Sequence, residues 1–228
     1  MNNKSLSIIL PLYNEEENIR QTVYSVLNFF TDKLRTFEII LVNDGSTDRT
    51  GMIIDQFAAN NKYIQPIHHA INRGYGAAFT SGLRKARYET IVFMDADGQF
   101  DIAETERLLF YSDDYDIIVG YRIKRRDSFY RVTLGMLYSR LVSLFFGLSL
   151  KDINCGFKVF KKSIFEKINI LSTGALVHAE IFIKAKKMDC SVKELGLNHF
   201  PRKNGKQKGL NLGVIMRGLC EIRNVFER

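Results

Sequence analysis

The chain has 228 residues and 26.3 kDa, with 46% apolar and 25% charged residues, an ordinary globular composition that excludes a disordered or fibrous protein and fits one large α/β domain, or at most a domain and a half. Three cysteines without a CxxC pair make no disulfide framework and point to a reducing compartment, the N-terminus carries no signal-peptide pattern, and the uncharged apolar stretch Leu141–Leu150 has ten residues where a membrane span needs about 20. The net charge of +8 is unevenly spread: residues 1–119 carry 11 Lys and Arg against 17 Asp and Glu, a net of −6, and residues 120–228 carry 22 against 8, a net of +14.

In chain order, Leu6–Leu12 is a short apolar strand, and Asn14–Phe30 has helical spacing with Glu15, Glu16 and Glu17 in its first turn. Glu38–Val42 is a buried strand, Ser46–Asn60 a capped helix, Tyr63–His68 a weaker strand and Gly76–Ala86 a helix. Thr90–Met94 is a strand running into Asp95-Ala96-Asp97-Gly98-Gln99; Ala103–Tyr111 is helical and Asp116–Gly120 a strand. This alternation predicts a parallel sheet covered on both faces, with ligands at the carboxyl ends of its strands, where the polar clusters fall. The second half opens with a basic linker, Tyr121–Tyr130, and an apolar-periodic helix, Arg131–Leu148. A strand-like Ile153–Phe160, a helix Ala175–Met188, a strand Val192–Phe200 and a basic loop Pro201–Gly209 follow. The stretch Gly209–Arg228 has apolar residues at 212, 215, 219, 222 and 226, an amphipathic helix.

Asp95 and Asp97, at i and i+2 after a strand, can share one cation, and Gln99 adds a neutral oxygen at the same spacing. Hard oxygen ligands suit Mg²⁺ or Mn²⁺ on a diphosphate; the bland alternative is an acidic turn capping the next helix. Asp44 in Asp44-Gly45-Ser46-Thr47-Asp48 stands at a strand tip where it can accept from a nucleobase N–H, while Ser46 or Thr47 caps the helix that follows. Asn72-Arg73-Gly74-Tyr75-Gly76-Ala77-Ala78 is part of a dinucleotide fingerprint, but Phe79 stands where its third glycine belongs. Its glycines let backbone approach a nucleotide or tighten the turn. The four histidines show no metal-ligand spacing, and hydrolase and ATPase motifs are absent from the sequence. The basic half lacks the aromatic interleaving of a nucleic-acid module, and the acidic half would repel a polyanion, so no nucleic-acid partner is expected.

Four ordered stretches, Pro11–Asn18, Val42–Asp48, Asn72–Gly82 and Asp95–Gln99, resemble the family 2 glycosyltransferases of the GT-A fold. Gly120-Tyr121-Arg122, Asp152–Lys158, Ala179-Glu180, and His199–Arg202 with Gly205 are similar to the dolichol-phosphate mannose synthase and polyprenyl-phosphate glycosyltransferase branch. The resemblance implies a single GT-A domain with a nucleotide-sugar-binding half, 1–120, and an acceptor-side half, 121–228, carrying amphipathic helices. It implies inverting, Mg²⁺- or Mn²⁺-dependent transfer from a UDP- or GDP-sugar to a polyprenyl phosphate. Pro11, Tyr13, Glu15, Asp44, Gly76 and Asp95 would hold the donor, and Asp95, Asp97 and Gln99 the metal. Arg122, Arg131 and Arg202 would meet phosphates beside Asp97. A soluble or glycan hydroxyl is the alternative acceptor, for which Asp152 or Glu180 would have to be the base. The helices Arg131–Leu148 and Gly209–Arg228 could lie on an anionic membrane surface at the cytoplasmic face, pack as core, or join copies in a homo-oligomer.

Overall fold

The computed structural model describes residues 4–33, 36–123, 129–202 and 204. Its seven strands are β1 (Leu6–Leu12), β2 (Phe37–Asn43), β3 (Ile64–His68), β4 (Thr90–Met94), β5 (Ile117–Ile123), β6 (Phe157–Lys161) and β7 (Val192–Asn198). Its helices are α1 (Ile19–Lys33), α2 (Thr50–Asn60), α3 (Tyr75–Lys85), α4 (Glu104–Leu109), α5 (Phe129–Phe146), α6 (Ile164–Lys167) and α7 (Val177–Lys187). The strands form one sheet in the order β3-β2-β1-β4-β6-β5-β7, and β6 alone runs antiparallel to both its neighbours. The α/β, mostly parallel sheet expected from the sequence is therefore present, with β6 inserted between β4 and β5. All seven residues of β1 and of β2 are buried, as strands covered on both faces require.

Two layers of helices cover the sheet. On one face Phe30 of α1 meets Phe37 of β2 at 5.8 Å, Tyr24 of α1 meets Phe57 of α2 edge-on at 5.0 Å, and Lys33 of α1 pairs with Glu106 of α4. On the other, Phe79 of α3 meets Phe93 of β4 edge-on at 4.7 Å, and Phe93 also faces His178 of α7. Gly82 lets α3 lie close on β1: a Cβ there would stand 2.4 Å from a methyl of Ile9.

Two helices start later than the periodicity predicts, α1 at Ile19 and α2 at Thr50. Asn14 has φ +53°, and the amides of Asn14, Glu15 and Glu16 donate to Ser46 Oγ, Thr50 Oγ1 and Asp48 Oδ2 across the β2–α2 loop. The left-handed backbone at Asn14 is not helical, and these three hydrogen bonds lock the two loops together at the top of β1 and β2. The segment 153–156 turns before β6 begins, with the Cys155 amide donating to the Asp152 carbonyl. α5 is inverted relative to an ordinary surface helix: Gly135, Ser139 and Val142 are buried, whereas Met136, Leu137, Leu141 and Leu144 are exposed. The predicted helix Gly209–Arg228 lies outside the described residues.

Candidate active site

The polar clusters converge at the carboxyl ends of β1, β2 and β4. The metal motif follows β4 directly. Asp95 is registered opposite Gly156, whose carbonyl accepts its amide at 2.9 Å, and its carboxylate lies over that glycine so closely that a Cβ on residue 156 would be 1.7 Å from Oδ2. Tyr75 at the start of α3 donates to Asp95 Oδ1 at 2.6 Å. From the opposite face, Thr22 of α1 donates to the Ala96 carbonyl at 3.0 Å. The turn is thus pinned from both helix layers. Asp97 sits on its far side and accepts from the Gln99 amide at 3.1 Å. Gln99 is buried, and its side-chain amide donates to the Phe200 carbonyl at 3.2 Å, tying the turn to the segment after β7.

Burial raises the pKa of both carboxyls, and for Asp97 the charge of Asp95 adds to it, taking it up to about 7. Two half-buried carboxylates that resist ionising side by side are a site that a cation would settle. No group of three or more His, Cys, Asp or Glu able to hold a metal occurs among the described residues. The donor set fits a hard divalent ion with one or two carboxylates that takes its remaining oxygens from water and phosphate.

A cation of the chain already reaches this charge. Arg202 Nη2 donates to both oxygens of Glu15, at 2.6 and 2.5 Å, and Nη1 lies 3.7 Å from Asp97 Oδ2. Asn18 supports Glu15 with a 2.7 Å hydrogen bond and reaches the Asn204 carbonyl at 3.2 Å. The loop after β7 therefore crosses the mouth of the predicted donor site. Pro11 and Tyr13 stand at the end of β1 beside Glu15, the proline buried and the tyrosine half-buried.

Asp44 is placed at the tip of β2 but points inward. Its carboxylate accepts from His69 Nδ1 at 2.7 Å and from the amides of Arg73 and Gly74 at 2.9 and 2.8 Å. It holds the turn that delivers α3. The glycines of that turn meet backbone of this chain: a Cβ on Gly76 would stand 2.4 Å from the Ser172 carbonyl oxygen, and one on Gly74 2.5 Å from that of Thr173. The amides of Gly76 and Ala77 both donate to the Thr173 carbonyl.

Of the arginines, Arg122 at the end of β5 makes a two-pronged ion pair with Asp152, at 2.7 and 2.8 Å. Arg131 lies in the first turn of α5, and its side chain is outside the described residues. Glu180 is fully buried; its oxygens accept from the amides of Leu171 and Ser172 at 2.9 and 2.7 Å, and Lys184 pairs with it at 2.6 Å. Both carboxylates that the sequence offers as bases are thus engaged in holding structure. Three residues had no role in the sequence reading: Tyr75, Thr22 and Lys158. Lys158 of β6 is fully buried, donates to the Cys155 carbonyl, and is pushed down to about 8 by burial, against the opposing pull of charges that include Asp95 and Asp152. A lysine inside an apolar strand, Phe157–Phe160, was the one signal for it.

The model of "Glycosyl transferase family 2" matches residues 7–169, most of the chain and all the elements that build this site except α7 and β7. The chain belongs to glycosyl transferase family 2. Among solved structures, it is similar to glucosyl-3-phosphoglycerate synthase from Mycobacterium tuberculosis in complex with Mn²⁺, UDP and glucosyl-3-phosphoglycerate, at 16% identity and TM-score 0.73, covering 98% of this chain and 78% of that one. The same enzyme with Mn²⁺, UDP-glucose and glycerol 3-phosphate gives 16% identity, TM-score 0.72 and coverages of 98% and 79%. A further mycobacterial protein matches at 19% identity and TM-score 0.70, over 89% of this chain and 69% of that one. At these identities the likeness is one of fold, the GT-A glycosyltransferase fold, and this glycosyltransferase shares it with structures crystallised with Mn²⁺ and a uridine nucleotide.

Proposed function

We propose that this family 2 glycosyltransferase transfers a sugar from a UDP-sugar to a small, soluble acceptor that carries a phosphate. The observation that carries the reading is the state of the candidate bases. Asp152 is bound by Arg122, Glu180 by two backbone amides and Lys184, and His178 is buried and held uncharged by that burial. An acceptor bearing its own anion needs none of them, because a phosphate with its second pKa near 6 can take the proton of a neighbouring hydroxyl. The acceptor oxygen then bonds to the anomeric carbon as the bond to the nucleoside diphosphate breaks, in one in-line, inverting displacement. Asp97, with Asp95 behind it, would hold Mg²⁺ or Mn²⁺, which when bound stabilises the departing diphosphate as a Lewis acid. Glu15, Tyr13 and Pro11 line the nucleoside side. Arg202, whose Nη1 faces Asp97, supplies a guanidinium that suits phosphate oxygens, whereas Arg122 is engaged by Asp152 and holds that carboxylate in place. The M. tuberculosis synthase, solved in complex with phosphoglyceric acid and with glycerol 3-phosphate, supports the choice of acceptor class. The free thiols of Cys155 and Cys190 fit a cytoplasmic setting.

A second reading is a polyprenyl phosphate taken from an anionic membrane face, favoured by the exposed leucines of α5 and the basic second half. No helix among the described residues is long and apolar enough to cross a membrane, so such contact would be peripheral. Transfer from UDP-glucose with Mn²⁺ to 3-phosphoglycerate, glycerol 3-phosphate and a short polyprenyl phosphate, each beside its dephosphorylated form, tests both. We expect turnover with a small phosphate and little with glycerate or glycerol. Equal use of the dephosphorylated acceptors would sink the phosphate reading. Turnover with the polyprenyl phosphate alone, matched by cosedimentation with anionic but not neutral vesicles, would favour the second reading.

A further inference from the structure

Tyr75 meets the metal motif directly although the sequence gives it no role of its own. It is the first residue of α3, and its hydroxyl donates to Asp95 Oδ1 at 2.6 Å. The ring is held edge-on by Phe93 of β4 at 5.7 Å and by His178 of α7 at 5.3 Å, so the phenol has little freedom to swing away. The backbone beneath it is fixed too. Gly76 and Ala77, the next two residues, give their amides to the Thr173 carbonyl, and the loop bearing Thr173 is held in turn by Glu180 through Leu171 and Ser172. On the Asp95 side, the amide is taken by Gly156, and the carboxylate fits only because residue 156 has no side chain.

We propose that Tyr75 is a positioning residue of the divalent-metal site, fixing through one hydrogen bond the Asp95 carboxylate that stands behind Asp97. Groups that orient a ligand sphere from outside are worth on the order of 10- to 100-fold in metal affinity. The proposal rests on the reading of Asp95 and Asp97 as the metal site. It adds a residue of α3 to that site, and it assigns Glu180 to the same chain of support.

The test is calorimetric titration of the metal-free protein with Mn²⁺ in the presence of UDP, for the wild type, Tyr75→Phe, Asp95→Ala and the double variant. Tyr75→Phe removes one oxygen and leaves the ring contacts. We expect it to bind Mn²⁺ on the order of 10-fold more weakly, with only a small fall in its unfolding temperature in chelator. In the Asp95→Ala background the same change should cost nothing, since its partner is gone. Wild-type affinity in Tyr75→Phe overturns the proposal. So does an equal loss with and without Asp95, which would mark the residue as merely structural. A wild type that binds no Mn²⁺ even with UDP would instead overturn the metal reading itself, and this proposal with it.

Discussion

Asp97 is pulled two ways. Burial and the neighbouring Asp95 charge raise its pKa from 3.8 to about 7, while the Gln99 amide and Arg202 pull it down. The folded protein therefore binds a proton here that the unfolded chain releases near pH 4, and without metal this site loses stability as pH rises from about 4 to about 7. Asp97→Asn, which cannot ionise, escapes that loss. Its unfolding temperature in chelator should gain on the wild type steadily across this window and stay level below it, as thermal denaturation at stepped pH would show. A constant difference at all pH values would mean that Asp97 ionises as freely as it does in water. The motif itself was legible at this scale, because two acids after an apolar strand have few other uses. The inward turn of Asp44 was less so: a carboxylate at a strand tip can serve a nucleobase or its own loop, and only the fold shows that His69, Arg73 and Gly74 reach it. Tyr75 was invisible because its partner is 20 residues away in another unit.

At the scale of elements, strands were easier to read than the ends of helices. Unbroken apolar runs name β1, β2 and β4 outright, whereas the starts of α1 and α2 were displaced by hydrogen bonds between two loops that periodicity cannot see. The direction of β6 was not legible either, since a five-residue strand has the same pattern in both senses. Gly156, just before β6, is the tightest contact of the site. Gly156→Ala should displace the Asp95 carboxylate, cost about 1–3 kcal/mol of stability and weaken Mn²⁺ binding together with it, measurable by urea unfolding and by titration. Loss of stability with full metal affinity would show that Asp95 can move without consequence. Glu180 makes a second case. Two backbone amides and Lys184 depend on its carboxylate, so Glu180→Ala should cost about 3 kcal/mol and loosen the loop before α7, seen as faster amide exchange at Leu171 and Ser172. An unchanged exchange rate would return Glu180 to the list of possible bases.

For the whole molecule, the charge asymmetry of the sequence becomes a geometric fact. The acidic half provides Glu15, Asp95 and Asp97, and the basic half reaches back with Arg202 to Glu15 and Asp97. The insertion of β6 does the same for the backbone. β4 carries Asp95 at its end, yet on one side it is hydrogen-bonded to β1 and on the other only to β6, which the ribosome delivers after α5 has been made. While synthesis is under way, β4 presents a bare, apolar edge (Ile91, Val92 and Phe93 are all fully buried in the finished sheet), and such edges recruit other chains. A product cut short near residue 120 would keep every residue of the donor motifs and still expose that edge, so it should form aggregates rather than a small nucleotide-binding protein.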